Sequence, residues 1–148
     1  MNVLDDSLRE AARTTFEQLV YLLPDVPPDA QQRARRVRAI ATIAFSGPAR
    51  GALEVRACEG LLPRLTARLA PEASESLQLD ALGEIANIIC AQMFAHLDPA
   101  SIFEQTPPEV STCSDARAVE GPDVAAQAEL GLDSSRAEIR LYLFSSAA

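Results

Sequence analysis

A row of polar residues near the middle of the chain has the residue types and the spacing of a chemical site. Asp80, Glu84, Asn87 and Ala91 stand at positions i, i+4, i+7 and i+11, so on an α-helix they share one face. The opposite face would be an apolar stripe formed by Leu82, Ile85, Ala86, Ile89 and Met93. A carboxylate beside an amide on a solvent face, followed by a small alanine, would make a polar site that a partner can approach. The alternative is that the row is only the solvated side of an amphipathic helix.

The helix that must position this row is predicted for Ser74–Leu97, the longest stretch of helical periodicity in the sequence. Asp98 and Pro99 mark its end, because the residue before a proline disfavours helical backbone. Two further helices are predicted, a long amphipathic one over Asp5–Leu23 and a short one over Gly60–Leu69.

The remaining periodic segments alternate in the manner of β-strands. Strands are predicted for Val37–Phe45, Ala52–Ala57, Glu109–Cys113, Asp123–Leu132 and Arg136–Phe144. The rest of residues 98–122 has the composition of loops. This order of elements indicates an α+β fold, in which an antiparallel sheet carries long helices packed on one face. Residues 1–148 are expected to form a single domain.

The charge balance excludes several classes of function. The net charge is −8 at pH 7, which argues against a nucleic-acid partner, because the chain lacks the excess positive charge that would neutralise the phosphates of a nucleic acid. All 13 basic residues are arginines, so Schiff-base chemistry and P-loop phosphate binding, which require a lysine amine, are excluded. A basic run precedes the first strand, formed by Arg33, Arg35, Arg36 and Arg38. It is expected to be a solvated charge run, and contact with an acidic partner is the alternative.

The cysteines and the single histidine give no sign of a metal site. Cys58, Cys90 and Cys113 contain no C-x-x-C pair, so neither a zinc site nor a disulfide framework is indicated. Cys90 is expected to be a small core residue, and His96 a packed or edge histidine on the apolar side of its helix. No apolar run approaches the length of a membrane span, and the acidic N-terminus lacks the order of a signal peptide. A cytoplasmic protein with no membrane partner is therefore expected.

The segment from Asp80 to Asn87 matches the D/S-x-x-x-E-x-x-N signature of the CheC/CheX family of chemotaxis phosphatases. Its surroundings resemble that family too. The segments 43–48 and 51–53 are similar to the family's paired strands with a glycine turn, and a short helix precedes the motif helix. The resemblance covers the chain from about Asp5 to Phe144.

The resemblance implies a phosphatase that hydrolyses the aspartyl phosphate of a CheY-like response-regulator receiver domain. Asn87 would orient the attacking water, and Glu84 would pair with the regulator's lysine. Asp80 would be a supporting recognition residue, and the small Ala91 would leave room for the partner. The regulator would supply its own Mg²⁺, so the chain would need no metal or cofactor of its own. In one departure from the family, Cys90–Gln92 follows the motif where a small, glycine-containing segment is expected.

The first predicted helix repeats the spacing of the motif without its amide. Asp6, Glu10 and Arg13 stand at the same relative positions as the acidic and amide residues of the motif helix, with arginine in the place of asparagine. In a family whose members carry two such helices, one complete motif resembles the CheX type rather than the two-site CheC type. The alternative is that two amphipathic helices match by chance.

Two other functions remain open on the same fold, because fold alone does not fix function. The first is a non-catalytic module that binds a receiver domain or a flagellar-switch component. The second is a stand-alone dimeric sensor, which would need a ligand pocket. The resemblance also implies a homodimer built partly by sheet-edge pairing, for which Asp123–Leu132 and Arg136–Phe144 are the candidate strands.

Overall fold

The fold is an antiparallel sheet with two long helices on one face. The structure, a computed structural model, describes residues 3–112 and 124–144. Its elements in chain order are α1 Val3–Leu19, α2 Ala30–Arg33, β1 Val37–Ser46, β2 Arg50–Cys58, α3 Leu62–Thr66, α4 Glu75–Leu97, β3 Glu104–Gln105, β4 Glu109–Thr112, β5 Val124–Leu132 and β6 Ser135–Phe144. The α+β class predicted from the sequence is confirmed.

The central strands of the sheet follow the order β1-β2-β6-β5. Two short strands share the outer edge of β1: β3 pairs at Phe45 and Ser46, and β4 pairs over residues 39–42. Because β6 pairs with β2 on one side and β5 on the other, Arg136–Phe144 is an interior strand. It cannot supply the edge that was expected of it for dimerisation, whereas β5 does lie at the edge.

The edge of β5 is partly occupied by the N-terminal part of the chain. Asp25 and Gly131 exchange two backbone hydrogen bonds, of 2.8 and 2.9 Å. The carboxylate of Asp5 accepts a third bond from the backbone N–H of Gln127, at 2.9 Å. Three backbone groups of this edge therefore already have partners within the chain.

The hydrophobic core lies between the sheet and the two long helices. From α1 it takes Leu8 and Phe16, and from α4 the whole predicted apolar stripe. Strands β2 and β6 contribute alternate residues, which include Leu53, Val55 and Ile139. This alternation follows from the period of two in a strand, which sends every second side chain toward the helices.

The opposite face of β2 and β6 carries a ladder of charges. Glu54 and Arg56, which alternate with the core residues of β2, are only 1% and 6% exposed and form an ion pair. In the register of the sheet Glu54 lies opposite Arg140, and Arg56 lies opposite Glu138. Opposite charges thus meet across the two strands on the face turned away from α1 and α4.

Several element boundaries differ from the predictions. Helix α1 ends at Leu19 rather than Leu23, because Tyr21 has a φ of 59° and the N–H of Leu22 turns back to bond the carbonyl of Phe16. Helix α3 starts after Gly60 because Gly60 has a φ of 89°, which is outside the helical region, and it ends at Thr66 rather than Leu69. The one-turn helix α2, closed by a capping box, was not predicted.

The motif helix agrees with its prediction. Ser74 caps it by accepting a hydrogen bond from the N–H of Leu77, and the helix runs from Glu75 to Leu97. The predicted strand Glu109–Cys113 is seen as Glu109–Thr112, and Cys113 and Asp123 lie outside the described residues. The single-domain expectation for residues 1–148 stays a prediction.

Candidate functional site

The predicted polar row lies on the outer face of α4. Asp80, Glu84 and Ala91 are exposed and Asn87 is half-buried, while the apolar stripe on the other side of the helix is buried. The amphipathic arrangement read from the sequence is therefore confirmed. The partial burial of Asn87 shows that this residue has a neighbour that the other three lack.

That neighbour is Gln105, which lies on the short strand β3. Its Nε2 group donates a hydrogen bond of 2.8 Å to the side-chain oxygen Oδ1 of Asn87 and one of 3.2 Å to the backbone carbonyl of the same residue. A backbone carbonyl only accepts, so the end of Gln105 that touches it must be the NH₂ group. The facing atom of the Asn87 side chain must then be its oxygen.

Strand β3 is only two residues long, yet several contacts hold it in place. Gln105 pairs with Phe45 of β1, and the N–H of Thr106 bonds the carbonyl of Ala44 at 2.9 Å. The hydroxyl of Thr106 accepts a return bond from the N–H of Ala44 at 3.0 Å. Just before β3, Phe103 stacks on Phe94 of α4, with ring centroids 3.9 Å apart. The strand that carries Gln105 is thus fixed to both the sheet and the motif helix.

A glycine inside the motif brings the next segment close to α4. Gly83 is buried, and a Cβ atom at this position would lie 3.1 Å from side-chain carbons of both Pro108 and Val110. That spacing is tighter than ordinary van der Waals contact, so the approach of β4 to the helix depends on the absence of a side chain.

An open cleft runs beside Asn87 along α4. One part, of about 440 Å³, is lined by Asn87, Ile88, Ala91, Phe103 and Gln105. A second part, of about 290 Å³, continues toward Asp98 and shares Ala91, Phe103 and Gln105 with the first. The small side chain at position 91 leaves this space open. A group placed in the cleft would lie against the Asn87 amide.

Sequence reasoning missed Phe103 and Gln105. Both fall in a segment read as loop, and Gln105 is 18 residues away from Asn87 along the chain. A two-residue strand is too short for alternation to reveal, so no local pattern pointed to this contact.

The corresponding row on α1 is internally paired. Arg13 bonds Glu10 at 2.5 Å and Glu17 at 3.1 Å. The hydrogen bond from Arg13 holds the pKa of Glu10 below its ordinary value, and the same contact raises the pKa of Arg13. This surface of α1 therefore offers a closed ion-pair cluster instead of an acid beside an amide. Whether the two helices are a true repeat stays a hypothesis.

Of the two alternatives for His96, packed or at the edge, the packed one was wrong, because this residue is exposed in the last turn of α4. A helical wheel gives the direction in which a side chain points, but it does not show whether another element covers that side chain. Ala95, the residue before His96, is exposed as well. Arg33, Arg35, Arg36 and Arg38 are exposed, as expected of a solvated run.

Cys58 and Cys90 are buried, which confirms the expectation for Cys90, and burial raises the pKa of each thiol to about 12. Thiolates, which are the reactive form, will therefore be scarce in the folded protein.

In a Cys113→Ser variant, we expect a thiol reagent to label neither Cys58 nor Cys90 between about pH 7 and pH 9 until the protein is unfolded, since this range lies below the raised pKa values. Stopped-flow absorbance with a disulfide reagent measures this. A cysteine that reacts rapidly in the native variant would contradict it.

The described residues contain neither a metal-binding group of side chains nor a membrane-spanning helix. Within residues 3–112 and 124–144, no three His, Cys, Asp or Glu side chains are grouped as they would be to hold a metal ion. In the same part of the chain, no helix has the length and apolarity that crossing a membrane requires.

An antiparallel sheet with two long helices on one face is the fold of solved CheX and CheC-like chemotaxis proteins. This chain has that fold, as the resemblance implied. No family model matches the sequence, and no curated protein matches it. The likeness is therefore one of structure.

Three solved structures illustrate it. CheX from Vibrio vulnificus superposes with a TM-score of 0.73 at 17% identity, over 96% of this chain and 97% of the other. A CheC-like protein from Shewanella sp. PV-4 gives 0.73 at 18% identity, over 98% and 100%. CheX from Borrelia burgdorferi, in a complex with CheY, BeF3 and Mg²⁺, gives 0.68 at 12% identity, over 95% and 97%.

Proposed function

We propose that this protein accelerates hydrolysis of the aspartyl phosphate on a response-regulator receiver domain, with Asn87 orienting the attacking water. The proposal rests on the hydrogen bonding of the Asn87 amide. Its oxygen is held by Gln105, and among the described residues its Nδ2 group has no hydrogen-bond partner. A donor in fixed orientation therefore stands beside an open cleft.

The chemistry asks little more of the protein. An acyl phosphate is already activated, so its hydrolysis needs mainly positioning and stabilisation of charge. A water that accepts a hydrogen bond from Nδ2 through one lone pair keeps the other for in-line attack on phosphorus. The phosphorus–oxygen bond to the aspartate then breaks, which releases the carboxylate and an inorganic phosphate that keeps the two protons of the water. The receiver domain would supply Mg²⁺ and a lysine, and this chain would use no metal or cofactor of its own.

Glu84 and Asp80 would align the helix with its partner. Glu84 lies one turn before Asn87 and Asp80 one turn further, and both are exposed. Two carboxylates in line with the amide suit a receiver whose site carries a lysine. One CheX of the same fold is found in a complex with CheY, which supports a receiver-domain partner for this chain.

A Glu84→Ala variant should bind the phosphorylated receiver about 10- to 100-fold more weakly, because the receiver's lysine would lose its counter-charge on docking. Fluorescence titration at two ionic strengths measures this, and the salt dependence of binding should fall as well. Glu10→Ala is a matched control, since it removes the same charge from α1, and it should leave the affinity within about twofold. Equal weakening by both variants would contradict a specific role for Glu84.

The direct test of the function is the lifetime of the phosphate on a radiolabelled receiver from the same organism, with and without this protein. A shortened lifetime supports the phosphatase. Binding with an unchanged lifetime would assign the alternative function, a non-catalytic module for a receiver or a flagellar-switch component. We also propose that the protein is a homodimer and that it is cytoplasmic. Sedimentation of this protein alone tests the homodimer, and fractionation of cells tests the location.

A further inference from the structure

The contact between Gln105 and Asn87 gives Gln105 a role of its own. We propose that Gln105 is a positioning residue that fixes which end of the Asn87 amide meets the attacking water. The inference rests on the proposed function, since the role of Asn87 is assigned there.

An asparagine side chain has two ends of opposite hydrogen-bonding character. The oxygen accepts and the NH₂ group donates, and the torsion that exchanges them is broad and roughly two-fold. A solvated Asn87 would therefore present either end to a water in the cleft. Only one end of the amide can hold the water in the orientation that attack requires. Free rotation of the Asn87 side chain would therefore leave part of the protein molecules in a non-productive state.

Gln105 removes this ambiguity through two bonds with the same donor group. The backbone carbonyl of Asn87 accepts one bond and the Oδ1 atom of the same residue accepts the other. If the Asn87 amide turned over, its NH₂ group would face the NH₂ group of Gln105, and two donors would meet without an acceptor. The carbonyl end is thus kept inward, and the NH₂ end is presented to the cleft.

The position of Gln105 is itself fixed by the sheet and the aromatic cluster, so the device is rigid. Its strand is paired with β1 at Phe45, and the ring of Phe103 two residues earlier stacks on α4. The hydrogen bond that Oδ1 accepts also polarises the amide. This polarisation strengthens each hydrogen bond that the outward NH₂ group donates by about 10–30%. In this proposal Gln105 acts through Asn87 and has no contact of its own with the water or the phosphoryl group.

The first experiment measures kcat and KM for hydrolysis of the phosphorylated receiver. Gln105→Ala should lower kcat about 10-fold and leave KM within about twofold, because orientation is lost while docking is kept. Gln105→Glu should lower kcat about 100-fold, because a carboxylate cannot donate to Oδ1 and would draw the NH₂ group inward. Glu104→Ala, on the same short strand, is the matched control and should retain the wild-type kcat. Thermal unfolding of each variant shows that the fold is kept.

A double variant separates positioning from a general structural role. If Gln105 acts only through Asn87, Gln105→Ala should cause no further loss in an Asn87→Ala background. Losses that multiply in the double variant, or a wild-type kcat in Gln105→Ala, would overturn the inference and leave the proposed function standing. A rise in kcat on removing Gln105 would also overturn it, since the contact would then be inhibitory.

A third measurement needs no activity. The side-chain NH₂ resonances of Asn87 in an ¹⁵N spectrum should shift in Gln105→Glu and stay in place in Glu104→Ala. Unchanged Asn87 resonances in Gln105→Glu would overturn the contact itself. If the wild-type protein fails to hydrolyse the phosphorylated receiver, the proposed function is overturned, and the role of Gln105 with it, whatever the resonances show.

Discussion

Replacing Asn87 with alanine should reduce the acceleration of receiver dephosphorylation by about 10²–10³-fold, the usual loss when a preorganised donor is removed. The half-buried amide is tied to Gln105 through its oxygen, so the NH₂ group lost in the variant is the one that would hold the water. Binding should stay within about twofold, because the docking carboxylates on the same face remain. The lifetime of radiolabelled phosphate on the receiver and a separate binding titration measure the two effects.

Two further substitutions make this experiment specific. Asn87→Asp keeps the shape and the acceptor for Gln105 but removes the outward donor, so it should be as inactive as alanine. Gln18→Ala changes an exposed amide on α1 and should leave the rate unchanged. A residual rate above about a third of wild type in Asn87→Asp would mean that donation from Nδ2 is not what organises the water.

Replacing Arg56 with alanine should lower the free energy of unfolding by about 3–5 kcal/mol. Arg56 is the buried ion-pair partner of Glu54, which is 1% exposed, so the variant leaves a buried carboxylate without that partner and with only Arg140 opposite it in the sheet. Glu138 lies 4.0 Å from Arg56 on the neighbouring strand and would lose a favourable contact as well. Urea unfolding followed by circular dichroism measures the change, and the m-value shows whether the transition remains two-state.

The paired replacement distinguishes loss of charge balance from loss of packing. Glu54→Leu combined with Arg56→Met should recover most of the stability, because apolar residues of similar volume often replace a buried ion pair without loss. Arg64→Ala, which breaks an exposed ion pair with Asp133, should lower the free energy of unfolding by less than about 1 kcal/mol. If Arg56→Ala has as small an effect as Arg64→Ala, the charge ladder is not a source of stability.

The motif helix and its polar row could be predicted because their signals are local. Helical periodicity over residues 75–97 is long enough to be unambiguous, and Ser74 gives an ordinary N-cap. The exposed acids and the buried stripe followed from the same periodicity. Strands β1, β2, β5 and β6 were found for a similar reason, since each contains a segment whose apolar residues alternate, and the strands themselves are nine or ten residues long.

What the sequence could not show depends on contacts between distant segments. The bond from Gln105 to Asn87 exists only because β1 holds a two-residue strand beside α4, and such a strand has no measurable period. His96 is exposed although it lies on the apolar side of the wheel, because a wheel does not show which positions another element covers. The burial of Glu54 also went unnoticed, since alternation alone makes its face look like a solvated one.

The two edges of the sheet, here called its borders, affect how readily this protein aggregates at high concentration. The border beyond β1 is made of one strand of two residues and one of four, separated by Pro107 and Pro108, which cannot donate backbone hydrogen bonds. At the other border, Asp25 and Asp5 already satisfy backbone groups of β5. In the described part of the chain, each border thus has features that interrupt a continuous row of unpaired backbone groups. Runaway edge-to-edge stacking into fibrils is thereby discouraged, with an acidic surface adding mutual repulsion.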